Sequence, residues 1–306
     1  MDKKINLLPH IVFALVYFIW GINIASMKIG GLEWDPLVFN GIRFLIVLPI
    51  LWTITYLSFK SNNIIFSIKK NDLLLVAGLG VLNAVGMEAM LSYALQYSTS
   101  ANGAVLGRGF MPVVTALFAL LLKEIKLTNR ILFGLPIAFF GVVLMMLGNN
   151  LHFGIDTLRG DVLLLTRAFF GAAYLIGMNH LLKKYPITLI ISLEMTAGAM
   201  SLLPFVILNV DVVYLQSISV IGWISLIYTS IIATVIAFYL HHFGLRKLGS
   251  FKASVYGFLL PITAAVAGFV ILQERLSLIQ ILGAVAVLCS MYLIQKERYK
   301  ISVENG

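Results

Sequence analysis

Residues 260–274 read LPITAAVAGFVILQE, and residues 111–124 read MPVVTALFALLLKE. Each has a proline at its second position, a run of at least ten uncharged residues, and a glutamate behind one polar residue. A helix at the surface of a soluble protein needs a polar face, and neither run has one. The composition of the whole chain agrees. It is 60% hydrophobic and 11% charged, with mean hydropathy +0.98, against about 25% charged residues in a soluble domain. Across 306 residues so few charges cannot coat a core of that size, so lipid is the expected solvent.

About 20 apolar residues cross the hydrocarbon as a helix. Ten such segments are predicted near 9–28, 36–58, 72–96, 101–122, 128–148, 161–182, 186–209, 218–243, 251–273 and 277–295. Short separators with turn and break signals lie between them, GGLEWDP and KKYP among them. The first segment has the basic start of a secretory leader. It lacks a clean small-residue cleavage site and is followed by nine further spans, so it reads as the first helix.

The charges test the count. With ten crossings, alternate loops fall on one side. Sixteen of the 22 Lys and Arg fall in the set that includes both termini, against three in the other set: Lys28, Arg159 and Arg275. By the positive-inside rule both termini are expected in the cytoplasm, with the protein in the cell membrane. Basic residues spread loop by loop do not make a nucleic-acid face. The single cysteine, Cys289, excludes an internal disulfide and is expected to pack in the last span.

The two quoted runs belong to a longer repeat. At an offset of 150, Gly21 meets Gly171, Pro36 meets Pro186, Gly103 meets Ala253 and Gly107 meets Gly257. At an offset of 149, Pro112 meets Pro261 and Gly134 meets Gly283. The chain therefore divides into residues 1–150 and 151–306, each a five-helix unit. The first unit has one extra residue between Gly107 and Pro112. Because five is odd, the second unit enters the membrane from the opposite side. The expected fold is an all-α integral membrane protein of ten transmembrane helices in two inverted five-helix repeats. That architecture belongs to secondary transporters, with the substrate site near the midplane between repeats.

The doubled pattern in YALQYSTSANGAVLGRGFMPVVTALFALLLKEIKLTNRILFG (93–134) and FGLRKLGSFKASVYGFLLPITAAVAGFVILQERLSLIQILG (243–283) resembles the drug/metabolite transporter superfamily, specifically the EamA-type ten-helix permeases. FIWGIN (18–23) and GIRFL (41–45) resemble that family's first two helices. The chain departs from the pattern in KEIK, where the glutamate is not followed directly by a basic residue, and in FFGAAY, which lacks the tryptophan-glycine pair. The resemblance implies a carrier, with exporters of amino acids and other metabolites among its members, and it is the ground for expecting outward movement.

Ionisable side chains within the bilayer cost at least ~2.5–3.5 kcal/mol each, which makes them functional candidates. Five fall within spans: Arg43, Glu88, Arg108, Arg167 and Glu194. Glu88 and Arg108 are expected at similar depth on consecutive helices. They are read either as a structural salt bridge or as cavity groups that contact substrate or a coupling proton. Arg167 is read as lining the cavity, and Arg43 and Glu194 as structural. The extra residue beside Arg108 is expected to be absorbed as a π-bulge that aims this side chain into the cavity. Polar and aromatic candidates are Trp20, Asn23, Tyr93, Tyr174, Asn179, Tyr239 and Tyr256. His241 and His242 are adjacent and share no helix face, so no metal site is expected, and both are placed near the membrane interface. Glu124 and Glu274 read as helix-end residues in capping and loop pairings, with a gating role as the alternative.

No HExxH, GxSxG or paired aspartates lie at membrane depth, so an enzyme is not expected. No filter-like loop suggests a channel, and no nucleotide-binding motif or other cofactor signature is present. The remaining alternative to a carrier is a non-transport membrane protein of the same fold, such as a lipid scramblase. With three Arg against two Glu in the spans, the expected partner is a zwitterionic or anionic small molecule. The energy source is either a proton gradient or the substrate's own gradient, and the protein is a monomer or homodimer.

Overall fold

A computed structural model of the chain describes residues 7–30, 33–62, 67–98, 102–147, 154–263, 266 and 277–296. The described residues are helical almost throughout and follow the ten predicted spans. The first two are α1, Leu8–Gly30, and α2, Pro36–Asn62. α3 has three parts: α-helical Lys70–Val81, π-helical Leu82–Ala89 and α-helical Met90–Tyr97. α4 joins π-helical Gly103–Gly109 to α-helical Met111–Leu121. Then come α5, Asn129–Leu147, α6, Leu158–Lys184, and α7, Ile187–Asn209. α8 runs through Val220–Ser230, π-helical Ile231–Ile236 and Ala237–Leu248. α9 begins with Ser250–Val255 and a 3₁₀ turn at Tyr256–Phe258. α10 is Leu278–Gln295. A short surface helix, Val212–Ser217, which the spans did not foresee, precedes α8.

Seven of these rods have the length and apolarity to cross a membrane, and Leu8–Asn23 and Val105–Leu121 are shorter apolar runs. Most of the quoted run 260–274, with Glu274 and Arg275, lies outside the described residues.

The outer surface shows what solvent the fold expects. On α5, Phe133, Ile137, Phe140, Leu144 and Leu147 recur every three or four residues and all point outward. The opposite face of the same helix buries Gly134, Leu135, Ala138, Gly141 and Val142. A helix apolar on both faces belongs in lipid. Cys289 also lies on this exposed surface. The packing role expected for it is not seen, because the buried side of α10 is formed by Gly283, Val287, Ser290 and Met291.

The packing is two-fold in pattern. α5 lies along α10, and α2 along α7, each helix against its own counterpart. α1 packs on α8 as α6 packs on α3. At the α5–α10 contact the backbones nearly touch: a methyl group on Gly141 would sit 2.9 Å from the Gly283 carbonyl oxygen. Small residues permit such approach in membranes.

Cross-loop bonds sort the loops into two faces. On the face that carries the bundle ends, meaning the start of α1 and the end of α10, Lys184 pairs with Asp72 at 3.2 Å and Ser250 donates to Glu124 at 2.9 Å. The Ser250 bond is the loop pairing expected of Glu124. On the opposite face, Ser219 donates to Glu33 through its backbone N–H and its hydroxyl, at 2.6 and 2.7 Å, and Asn102 donates to Asp161 at 2.8 Å. Each bond joins loops that an alternating ten-crossing path puts on one side.

Candidate functional site

The interruptions of α3 and α8 fall at matching positions, since Leu82–Ala89 displaced by 150 residues overlaps Ile231–Ile236. A π-turn widens a helix and rotates the side chains that follow it. The π-turns of α3 and α4, with the stretch of α8 that follows its own turn, line a small central cavity. Its wall includes Trp20 of α1, Asn83 and Glu88 of α3, Arg108 of α4, Tyr174 of α6 and His241 of α8. The volume is about 10 Å³, room for about one water.

Arg108 lies in the π-helical turn of α4, and its guanidinium carbon stands 5.1 Å from the centroid of the Trp20 ring. The Trp20 indole is fixed by donating to the Ala233 carbonyl at 3.0 Å. Among the described residues Arg108 has no ion pair and no hydrogen bond. The Glu88–Arg108 pair envisaged from depth is not formed. Glu88 instead accepts from Nη1 of Arg43 at 2.9 Å, with Nη2 of Arg167 3.9 Å from its other carboxylate oxygen. Arg43 is held for this by Asn40, one turn earlier on α2, which accepts from it at 3.1 Å, and by Thr234, which accepts at 2.7 Å. Arg167, expected on the cavity wall, lies buried behind it: it donates through Nε to the Met87 carbonyl at 2.8 Å, and its Nη2 has no hydrogen-bond partner among the described residues. Two guanidiniums thus flank one carboxylate, and the third, that of Arg108, shares its cavity wall.

Glu194 sits one step behind the wall. It accepts from Asn83 at 2.9 Å and from the Tyr174 hydroxyl at 2.7 Å, and faces His242 at 3.0 Å. Arg43 and Glu194 therefore each hold a buried network at corresponding positions of the two units.

The other candidates lie elsewhere. Asn23 accepts from Thr229 at 2.8 Å and ties α1 to α8. Tyr256 stacks on Phe13 with 4.9 Å between centroids and meets His10. Tyr239 is 43% exposed and lines a separate apolar side cleft of about 280 Å³ with Leu51, Ile54 and Ile191. It lies two positions from His241, and two helical positions point to nearly opposite sides. Tyr93 is half-buried and lies off the cavity wall. Asn179 lines a cleft of about 300 Å³ beside Lys183, Arg246 and Lys247, on the face that carries the bundle ends.

The histidines differ most from expectation. Both are buried, because α8 continues to Leu248 and leaves them well inside. His241 turns to the cavity and His242 to Glu194. Asn40, Asn83 and Thr234 are uncharged and were not singled out. Their signal was a polar side chain within an apolar run, and Asn40 also shares a helix face with Arg43.

The EamA-like transporter family model matches the chain twice, over residues 7–147 and 158–295. The chain belongs to the EamA-like transporter family. This EamA-like chain is 26% identical over 298 residues to an uncharacterized transporter of Archaeoglobus fulgidus, covering 96% of this chain and 100% of that one. Proteins named probable amino-acid metabolite efflux pump, from Salmonella typhimurium and Escherichia coli, are 25% and 24% identical, with 91% of this chain and 92% of each relative covered. A crystal structure matches with a TM-score of 0.75 at 15% identity, covering 93% of this chain and 97% of that one, a likeness of fold. The EamA-like chain is thus a multi-pass membrane transporter and not an enzyme. Both EamA-like copies build the site: Trp20, Arg43, Glu88 and Arg108 come from the first, and Arg167, Tyr174, Glu194 and His242 from the second.

Proposed function

We propose that the protein carries small carboxylate-bearing metabolites, with amino acids as the representative class, by alternating access around the central cavity. Residues 1–150 and 151–306 are the two moving units. The observation that carries this reading is the surplus of positive charge at the cavity. Arg108 lies over Trp20 with its N–H groups uncommitted to any described residue, and behind the wall Nη2 of Arg167, 3.9 Å from Glu88, makes no hydrogen bond to any described residue. A substrate carboxylate supplies what both lack. A cavity of about 10 Å³ does not admit an amino acid, so the conformation described is a closed one and the units must part for substrate to enter.

Outward movement is supported by the names of the two enterobacterial relatives. A cell-membrane location with both termini cytoplasmic is supported by the sixteen-to-three division of basic residues.

The test is uptake of a panel of labelled amino acids into proteoliposomes. Wild-type protein is expected to give saturable uptake of at least one. Arg108→Gln is expected to raise the half-saturating concentration roughly ten- to hundredfold, the worth of a lost charge-assisted bond of about 1.5–3 kcal/mol. Saturable uptake unchanged by Arg108→Gln, or lipid flipping without solute uptake, overturns the reading.

A further inference from the structure

Two latches stand at corresponding places in the two units. Arg43 lies seven residues from the start of α2 and Glu194 seven from the start of α7, so each is about 10 Å deep from its own face. The first latch, Arg43–Glu88–Thr234, joins α2 to α3 and α8. The second, Glu194–His242 with Tyr174 and Asn83, joins α7 to α8, α6 and α3. The chemistry of the two differs. Arginine keeps its charge at every accessible pH, so the first latch needs no added proton.

The second does. Nδ1 of His242 lies 2.7 Å from the Phe238 carbonyl oxygen. A carbonyl only accepts, so Nδ1 carries the hydrogen. Nε2 then faces Oε2 of Glu194 at 3.0 Å. With Nε2 bare and the carboxylate ionised, two lone pairs would oppose each other in a site where both side chains are fully buried. A hydrogen must lie between them. The Tyr174 hydroxyl stands 3.3 Å from Nε2 but has a single hydrogen, which it donates to the nearer Oε1 at 2.7 Å, where Asn83 also donates. Whether the hydrogen sits on nitrogen or on oxygen, the pair holds one proton and is neutral overall.

We propose that Glu194 and His242 together form a binding site for a single transported proton, and that this proton latches α7 to α8 on the side of the protein that carries the bundle ends. Loss of the proton sets lone pair against carboxylate and parts the two helices. The nearby cleft lined by Asn179 then deepens toward the cavity. Tyr174 and Asn83 belong to the cavity wall and also hold Glu194, so substrate and proton act on the same side chains. The other titratable and charged groups facing the pair are Tyr174 from α6, His241 from α8 at 5.8 Å between ring centroids, and, across the cavity, Glu88 of α3 and Arg108 of α4. If the carrier reading above holds, a proton entering from the opposite side and leaving through this latch exchanges for substrate moving the other way.

The test needs no substrate. Full-length protein in nanodiscs is followed by infrared difference spectroscopy across a pH series as wide as the folded protein tolerates. In parallel, the rate of maleimide labelling of Asn179→Cys in a Cys289→Ser background is measured. Glu194→Gln supplies an amide N–H to Nε2 and imitates the protonated latch. The expected result is a carboxyl and imidazole transition present in wild type and absent in Glu194→Gln. Labelling, corrected for thiol ionisation with a Glu194→Gln control, is expected to rise by roughly tenfold on deprotonation in wild type alone. A spectrum and labelling profile shared by wild type and Glu194→Gln overturns the proton site, whatever the protein transports. A transition lost in Glu194→Gln, with no amino acid moved, supports the site and rejects the carrier reading on which the exchange rests.

Discussion

Glu88 is the residue on which most of the central charge turns. It is 6% exposed and leans on Arg43, itself 1% exposed. Removing one partner of a buried pair leaves an uncompensated charge, which costs about 3–5 kcal/mol. Arg43→Ala should therefore lower the thermal unfolding midpoint in detergent sharply, and Arg43→Ala/Glu88→Gln should recover much of the loss. Equal midpoints for the single and double variants would refute the assignment. That Glu88, Arg108 and Arg167 deserved scrutiny was legible in the sequence, because charge inside an apolar run is expensive. Their pairing was not. Depth along a helix can be counted from residues, but azimuth cannot once a π-turn has rotated the face. The same limit hid His242, whose partner Glu194 lies 48 residues away on another helix.

At the scale of the helix, the one-residue difference between the copies has a physical counterpart. α4 accommodates its extra residue in a π-helical turn at Gly103–Gly109, where α9 has a tight 3₁₀ turn at Tyr256–Phe258. A π-turn holds more residues per turn than an α-turn, and a 3₁₀ turn fewer. The bulge beside Arg108 was readable from the offset falling from 150 to 149. The π-turns of α3 and α8 were not, since both copies carry them and no offset changes. Deleting Leu106 should return α4 to regular α-helix and swing Arg108 away from Trp20. The expected outcome is a folded, monodisperse protein with solute uptake lost. Uptake at wild-type level would show that the bulge does not aim Arg108.

Across the whole molecule, the two faces are closed by different means. On the face opposite the bundle ends, Trp34, Val38, Phe39, Ile218 and Leu226 form a separate apolar plug, fastened by the bonds from Ser219 to Glu33. Those bonds hold the Glu33 carboxyl below its ordinary range, the Ser219 hydroxyl contributing most and its backbone N–H next. A lowered carboxylate value means that the fastening is present above the ordinary Glu range and is lost as pH falls through the lowered value. Acid titration should therefore shift the emission of Trp34 and Trp223, whose rings stand 5.1 Å apart. Glu33→Ala should show the acid-form emission already at neutral pH; identical titrations of variant and wild type would exclude the fastening. At this scale the sequence was most informative. Odd repeats and lopsided basic loops define the architecture without any contact being known, whereas the plug depends on aromatic residues meeting across 189 positions, as Trp34 and Trp223 do.

The interdigitated backbones at Gly141 and Gly283 carry a consequence for how the chain is made. With α2 along α7 and α5 along α10, two helix pairs join the halves directly, and the peptide linkage between them adds little to that grip. Two messages, one ending after Leu147 and one beginning before Gly154, should yield fragments that co-purify and regain solute uptake. Fragments that insert but never associate would mean that tethering, rather than helix-to-helix fit, brings the halves together.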